Sequence, residues 1–412
     1  MTIISQFAEL EEIVCLTSFM VMRAIIDTIP QFISPYTSDM ISLAISSHLF
    51  SLNDRKCAES AIGVLDTLAS KVAPRVLLPA VFTRLSTAFE SGRESLMTLF
   101  NLMGNILSNM SKTDLEDSML NLTTFFLGAF DIRLQVSEKV MSADDVVIAE
   151  GCIISSFLQL VMKLNESHFK PLFLKIVDWA TLNVSFMALK DDQKIKRQLT
   201  LFRLMDQMFG RLKALAVPYY GYLLDTTLSI LEVTQKGPDR MDLWKHAMST
   251  LQKYFLYDSQ GMLNIDLVQS HFLVALIDEK KFERIMVPLV DQLDKISFHE
   301  GDYLLNMTEY LVSSMGQFII LAKADGQRKA LNRAVCMKSR SQEPRVRFMA
   351  IQIMREFYAK AGDEMLALFP ETIPFIAELM EDDDEEVEEG CQELCRVIQE
   401  YLGEPIQQYF SA

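Results

Sequence analysis

The sequence predicts an all-α chain, an α-solenoid of HEAT-type antiparallel helix pairs coiled as an armadillo-like superhelix. Three observations carry this. Half of the 412 residues are hydrophobic, and single compact cores stop growing near ~250–300 residues, so several domains or an elongated array is expected. Only 15 Gly and 12 Pro are present, too few to punctuate a many-stranded β protein. Two segments near the end of the chain also repeat. Val346, Ala350, Ile353 and Phe357 in EPRVRFMAIQIMREFY, and Val387, Cys391, Leu394 and Ile398 in DEEVEEGCQELCRVIQEY, share a +4, +3, +4 spacing at a constant offset of 41 residues. That spacing is one stripe of an α-helix.

From the start of the chain, IPQFISPY and APRVLLPA place Pro30/Pro35 and Pro74/Pro79 at an offset of 44 residues. Each pair opens an apolar segment, where a missing N–H costs little. Thr113 and Glu116 read as a capping box ahead of the apolar run from Leu120. Residues 131–146 are polar and weakly patterned. Residues 151–183 read as two helices broken between Asn165 and Pro171, and 195–233 as two more broken at Pro218. TQKGPDR (234–240), DSQGMLN (258–264) and AKADGQ (322–327) read as loops. FPETIPFIAELM reads as a helix with Ile373, Ile376 and Met380 on one face and Pro370 and Pro374 at its start. A helix–turn–helix unit every ~40–47 residues is the HEAT or armadillo period. The expected organisation is HEAT-like repeats over 1–135, a polar loop at 136–150, a helical domain over 151–322, and HEAT repeats with an acidic cap over 323–412. EDDDEEVEEG (381–390) reads as that solvated cap. The first repeat shows no polar cap, which leaves that end open to self-association.

The formal net charge of −16 argues against nucleic acid as the main partner of the whole surface, because phosphate must be neutralised by bases. A local reversal stands out in GQRKALNRAVCMKSRSQEPRVR (326–347). Arg328, Lys329, Arg333, Lys338, Arg340, Arg345 and Arg347 face a single acid, Glu343. It reads either as a contact strip for RNA phosphate or an acidic protein, or as a solvated face between repeats with Arg347 as a ladder residue. A weaker basic cluster surrounds Lys194, Lys196, Arg197 and Arg203.

No catalytic signature is present: no G-x-G-x-x-G, G-x-x-x-x-G-K-[ST], G-x-S-x-G or H-E-x-x-H. His48, His168, His246, His271 and His299 share no motif, and Cys391/Cys395, though spaced i, i+4, lack the further ligands a zinc site needs. Cys15, Cys57, Cys152, Cys336, Cys391 and Cys395 read as reduced core cysteines, and Trp179 and Trp244 as core anchors. Five N-x-[ST] sequons, Asn121 and Asn306 among them, read as chance matches. No apolar run reaches the ~18–20 residues of a membrane span, and the first residues lack a basic signal-peptide region. No cofactor, metal, small-molecule substrate or membrane partner is expected.

HFKPLFLKIVDWATLN (168–183), LKALAVPYYGYLLDTTLSIL (212–231) and LFPETIPFIAELMEDDDEEVEEGCQELCRVIQEYLGEPIQQYF (368–410) carry a resemblance. Over about residues 150–412 the chain resembles the C-terminal region of the family of U3 small nucleolar RNA-associated protein 10 and HEAT repeat-containing protein 1. PETIPFIAELMED and the ending LGEP-x-QQYF are its most specific segments. The resemblance implies a nucleolar, non-catalytic scaffold of the small-subunit processome, in the early subcomplex on the 5′ external transcribed spacer. It further implies support of 18S rRNA maturation and of rRNA transcription, with processome proteins, the U3 snoRNP and pre-rRNA as partners. It implies that this chain is the C-terminal portion of a longer protein. Val346, Arg347, Val387 and Glu388 fall at HEAT ladder positions, with Glu388 where a basic residue is usual. The alternative is another HEAT adaptor, a nuclear transport receptor or a phosphatase regulatory subunit.

Overall fold

The computed structural model describes residues 3–45, 55–233, 237–263, 277–296 and 302–410. Every regular element among the described residues is a helix, and no strand occurs among them. The chain divides into two compact units, residues 1–200 and 201–412. The boundary falls inside one helix, Asp191–Leu212.

The first unit contains α1 (Ile3–Thr28), α2 (Thr37–Ile45), α3 (Arg55–Lys71), α4 (Pro74–Phe82), α5 (Leu85–Ser91), α6 (Arg93–Asn109), α7 (Lys112–Phe130), α8 (Ile132–Gln135), α9 (Ala143–Val161), α10 (Glu166–Thr181) and α11 (Val184–Met187). α1, α3, α6 and α9 pack in succession as one layer, and α2, α4, α7 and α10 form the other. A helix pair alone leaves one apolar face in water, and stacking the next pair buries it. Accordingly Leu96, Leu99, Met103 and Ile106 on α6 are all fully buried between neighbours. Ring contacts lock the layers together. Phe157 of α9 meets Phe126 and Phe130 of α7 at centroid distances of 5.2 and 5.3 Å.

Pro74 opens α4 as expected. Pro30 and Pro35 do not open a helix; each sits in its own short 3₁₀ turn, Pro30–Phe32 and Ser34–Tyr36, ahead of α2. The residue before a proline is pushed away from helical torsions, so two closely spaced prolines fragment the turn. The cap of α7 also differs from expectation. Ser111, in extended torsions, accepts from the Asp114 N–H at 3.2 Å, and its hydroxyl donates to the Asp114 carboxylate at 2.6 Å. Ser142 and Asp145 repeat the device at the start of α9. Polar caps in S-x-x-D are what made this stretch read as loop, so the expected loop at 136–150 ends at Ser142. Removing the cap should cost about 1 kcal/mol in Ser111→Ala, while Thr113→Ala stays within about 0.5 kcal/mol. Urea denaturation of the two variants checks this.

The second unit contains the last part of α12 (Asp191–Leu212), then α13 (Leu224–Glu232), α14 (Pro238–Leu263), α15 (Glu279–Val290), α16 (Gln292–Lys295), α17 (Asp302–Leu321), α18 (Asp325–Lys338), α19 (Pro344–Leu366), α20 (Phe369–Leu379) and α21 (Glu385–Leu402). α14, α17, α19 and α21 form one layer, and α13, α15, α18 and α20 the other. The break at Pro218 is a 3₁₀ segment, Lys213–Tyr222. Of the loop expected at 258–264, residues 258–263 are helix instead, since α14 runs to Leu263 and Asp258 is buried, and residue 264 lies outside the described residues. Packing there overrides the weak local preference of Asp, Ser and Gly for turns. Gln327 N–H and Arg328 N–H bond back to Ala324, so the loop expected at 322–327 is only three residues before α18 begins.

All eight stripe residues of α19 and α21 are buried, in the predicted register. On α20 the buried stripe is Phe369, Thr372, Ile376 and Leu379; Ile373 and Met380 are only half-buried. Thr372 takes the inward position because its hydroxyl is satisfied there, donating to the Leu368 carbonyl at 3.1 Å and accepting from Asn332 Nδ2 at 2.9 Å. α19 breaks at Ala361 and Gly362. A Cβ on Gly362 would stand 2.6 Å from the Tyr401 ring of α21, so any larger residue there would have to push that ring aside.

Candidate interaction surface

The basic strip predicted over 326–347 lies on α18, the turn after it and the first turns of α19. Most of its charge is spent on acids of neighbouring helices. Arg347 clamps Asp382 with two bonds of 2.7 Å, and its Nη1 also donates to the Ser341 and Gln342 carbonyls at 3.0 Å. Arg340 grips Glu378 at 2.7 and 2.5 Å and lies 4.3 Å over the Phe375 ring. Lys329 reaches Glu371 at 2.5 Å, and Lys338 reaches Asp294 at 2.5 Å and Asp291 at 3.2 Å. Arg328 donates to the Ala322 carbonyl at 2.8 Å and lies 3.4 Å from Glu364. Arg333 and Arg345 are exposed; Arg333 has no ion-pair partner among the described residues.

These contacts form a ladder that ties each repeat to a neighbour, and it uses the acidic run as well. Asp382 is no solvated cap residue: its side chain is only 9% exposed beneath Arg347. Burial would raise its pKa, but the Arg347 guanidinium and the Asp384 N–H outweigh that and hold the carboxyl below the usual carboxylate range. Asp384 caps α21, accepting from the Glu386 and Val387 N–H groups at 3.1 and 3.2 Å. Glu388 takes no step in the ladder; it accepts from Gln392 of its own helix at 3.1 Å.

The weaker cluster at 194–203 does not form one surface. Arg197 is buried in the first unit, where it bonds both oxygens of Asp131 at 2.8 Å, donates to the Trp179 carbonyl at 3.2 Å and lies 4.9 Å over the Trp179 ring. Beside it Arg133 forms a fork on fully buried Glu150, with two bonds of 2.9 Å, and the Thr200 hydroxyl donates to the same carboxylate at 2.5 Å. Sequence reasoning missed both pairs, because Asp131 and Arg133 sit in the stretch that reads as polar loop. The one signal was a guanidinium amid the apolar periodicity of 195–204.

In the second unit Asp206 receives Lys253 Nζ at 2.5 Å and the Ser249 hydroxyl at 2.6 Å, with His246 Nδ1 3.4 Å away. Burial would raise its pKa, but these neighbours outweigh that and hold it at about 2. A depressed carboxylate stabilises the fold above its unfolded pKa of about 3.9, and the contribution fades as pH falls toward 2. Asp206→Asn should therefore cost about 2 kcal/mol at neutral pH, and the difference from wild type should vanish near pH 2. Urea midpoints measured against pH test this.

His168 is half-buried, with its Nδ1 2.7 Å from the Asn165 side chain. His48, His271 and His299, and the side chain of Asn306, lie outside the described residues. Cys57, Cys336, Cys391 and Cys395 are buried, while Cys15 and Cys152 are half-exposed; all six are free thiols. Trp179 and Trp244 are buried, Trp244 Nε1 donating to Gln292 at 3.0 Å. No group of three or more potential metal ligands occurs among the described residues. No described helix is long and apolar enough to cross a membrane. An open groove of about 520 Å³ runs along α17, α19 and α21, lined by Glu309, Ser313, Gln352, Arg355 and Glu393.

Comparison with known proteins agrees with this helical-repeat surface. Residues 114–263 match the BP28CT (NUC211) domain. The chain is 32% identical over 97% of its length to HEAT repeat-containing protein 1 of Danio rerio, of which it covers 19%. It is 27% identical over 96% of its length to U3 small nucleolar RNA-associated protein 10 of Schizosaccharomyces pombe, of which it covers 22%. The chain thus spans about a fifth of the length of these relatives. Among solved structures, a Kap121p mutant is similar in fold, with a TM-score of 0.54 at 12% identity over 96% of this chain and 41% of that one.

Proposed function

The chain is related over nearly its whole length to the family of HEAT repeat-containing protein 1 and U3 small nucleolar RNA-associated protein 10, and from that relationship we propose that it is a non-catalytic scaffold in ribosome biogenesis. Its role is to hold partners of the small-subunit processome on extended helical-repeat surfaces, in the early subcomplex on the 5′ external transcribed spacer. There it serves maturation of 18S rRNA and supports rRNA transcription, in the nucleolus. The observation that carries the reading is the match to U3 small nucleolar RNA-associated protein 10 across 96% of the chain. Support also comes from the chemistry of the surface: the ionisable groups converge on ion-pair ladders between helices, an arrangement that builds a rigid frame. The likeness to Kap121p is one of fold alone.

The contact surface proposed for RNA phosphate or an acidic protein is the strip over 326–347. Within it the ladder occupies Arg328, Lys329, Lys338, Arg340 and Arg347, so Arg333, exposed and without an ion-pair partner among the described residues, is the side chain that meets the partner first. Arg333→Glu should weaken binding to single-stranded RNA and lower its salt slope by about 1, with the fold intact. An unchanged slope removes the strip from the proposal. For the scaffold itself, the tagged chain expressed in cells should sediment with large particles that contain U3 RNA. Sedimentation only as a free protein would contradict it.

A further inference from the structure

The open groove of the second unit crosses three consecutive helices of one layer, since α19 packs between α17 and α21. Phe348, Gln352 and Glu356 stand at i, i+4 and i+8 on one face of α19. α17 adds Glu309 and Val312 to the lining, and α21 adds Glu393. Two glycines keep the space open. A Cβ on Gly390 of α21 would stand 3.0 Å from the Phe348 ring, and one on Gly316 of α17 would stand 2.4 Å from Glu356 Cγ. Phe348 and Glu356 thus lie against the backbones of the neighbouring helices. The volume of about 520 Å³ is that of a ligand cleft, which typically holds ~300–1,000 Å³.

The chemistry of the lining says what belongs there. Its floor is apolar at Val312 and Phe348. Its charge is negative: among the described residues three carboxylates, Glu309, Glu356 and Glu393, stand against one guanidinium, Arg355, which Glu393 already holds. No basic side chain pairs with Glu309 among the described residues, and Glu356 meets Lys360 of its own helix at 3.7 Å. Glu386 and Glu389 continue the acidic rim along α21, at the spacing of one helix face with Glu393, and both are exposed. Half-buried Gln352 makes no hydrogen bond among the described residues. Its amide presents a donor and an acceptor together, which is what a peptide backbone also offers. Length agrees with a peptide as well. Helix axes pack about 8–10 Å apart, so three in a row span about 16–20 Å, which an extended chain at about 3.3 Å per residue crosses in about five or six residues.

We propose that this groove docks an extended basic segment of a partner protein. The segment crosses α17, α19 and α21 with its main-chain amides on Gln352. The aliphatic stem of a lysine or arginine lies on Phe348 and Val312, and its charged head meets Glu309 and Glu356. The groove is opposite in charge to the strip over 326–347, so the two surfaces take different partners.

Fluorescence anisotropy tests this, with the full chain titrated at low salt into a fluorescein-labelled peptide of about eight alternating lysines and alanines. Binding with a Kd below about 1 mM is expected. Glu309→Gln with Glu356→Gln should raise that Kd at least about tenfold, and Gln352→Leu, which leaves the charge alone, at least about threefold. Far-UV helicity should stay unchanged in each. Glu116→Gln with Asp117→Asn, an equal change of charge on exposed acids of α7, should shift the Kd by less than about twofold. Absence of binding overturns the proposal. So does a control pair that weakens binding as much as the groove pair, and so does equal binding of a peptide with glutamate in place of lysine.

Discussion

Glu150→Ala is expected to destabilise the first unit by about 3–5 kcal/mol, the loss typical when one partner of a buried ion pair is removed. Glu150 is fully buried on α9 and accepts the Arg133 fork and the Thr200 hydroxyl. Truncation leaves a guanidinium that is only 10% exposed with part of its hydrogen bonding unmet. The double substitution Arg133→Leu with Glu150→Leu separates this cause from simple loss of packing. Replacing both charges by apolar groups of similar size is often neutral or better, so most of the loss should return. Urea denaturation followed by far-UV circular dichroism reads both. Because the chain holds two units, the first transition is the one to compare, rather than a single global midpoint. A double variant as unstable as the single one would mean that the pair is not the source.

The second large effect is expected at the last rung of the ladder. Arg347→Met should cost about 3 kcal/mol, since hydrogen bonds to charged groups are worth roughly 1.5–3 kcal/mol each where solvent is largely excluded. The side chains of Arg347 and Asp382 are 15 and 9% exposed, which separates them from surface pairs worth little. The dependence on pH has a definite sign. The Asp382 carboxyl is held below its usual range, so its contribution is present above the unfolded pKa of about 3.9 and fades as pH falls through the folded value. The difference between wild type and Arg347→Met should therefore shrink below about pH 4. By contrast, Glu388→Lys, which would install the usual basic residue at that position, should leave stability within about 0.5 kcal/mol, because among the described residues Glu388 bonds to Gln392 of its own helix and to no neighbouring repeat.

The helical architecture was legible because its signal is periodic. A stripe at +4, +3, +4 with an offset of 41 residues specifies two equivalent helices, and burial of all eight residues follows from stacking. Where the expectations failed, a polar residue had taken a structural role that hydropathy does not register. Thr372 occupies a core position because its hydroxyl finds the carbonyl four residues back. Ser142 begins a helix that its polar neighbours disguise as loop. The candidate site was legible as a charge reversal, and Arg347 as a ladder residue, but the acids that complete the ladder were not. Sequence spacing says which bases share a helix face; it does not say that Glu371, Glu378 and Asp382, some 35–42 residues away, come to meet them. The same blindness hid Asp131 with Arg197, 66 residues apart. Long-range charge pairing has no periodic trace in a single sequence, whereas the ridges that pack a solenoid do.

The scaffold reading meets its most direct test in a tagged pull-down of the chain from nucleolar extract at low and high salt, with bound proteins and RNA identified. Enrichment of small-subunit processome proteins together with U3 small nucleolar RNA or pre-rRNA is the predicted result, with proteins retained at high salt and RNA released first. Recovery of nuclear transport or phosphatase factors in place of processome components would contradict it.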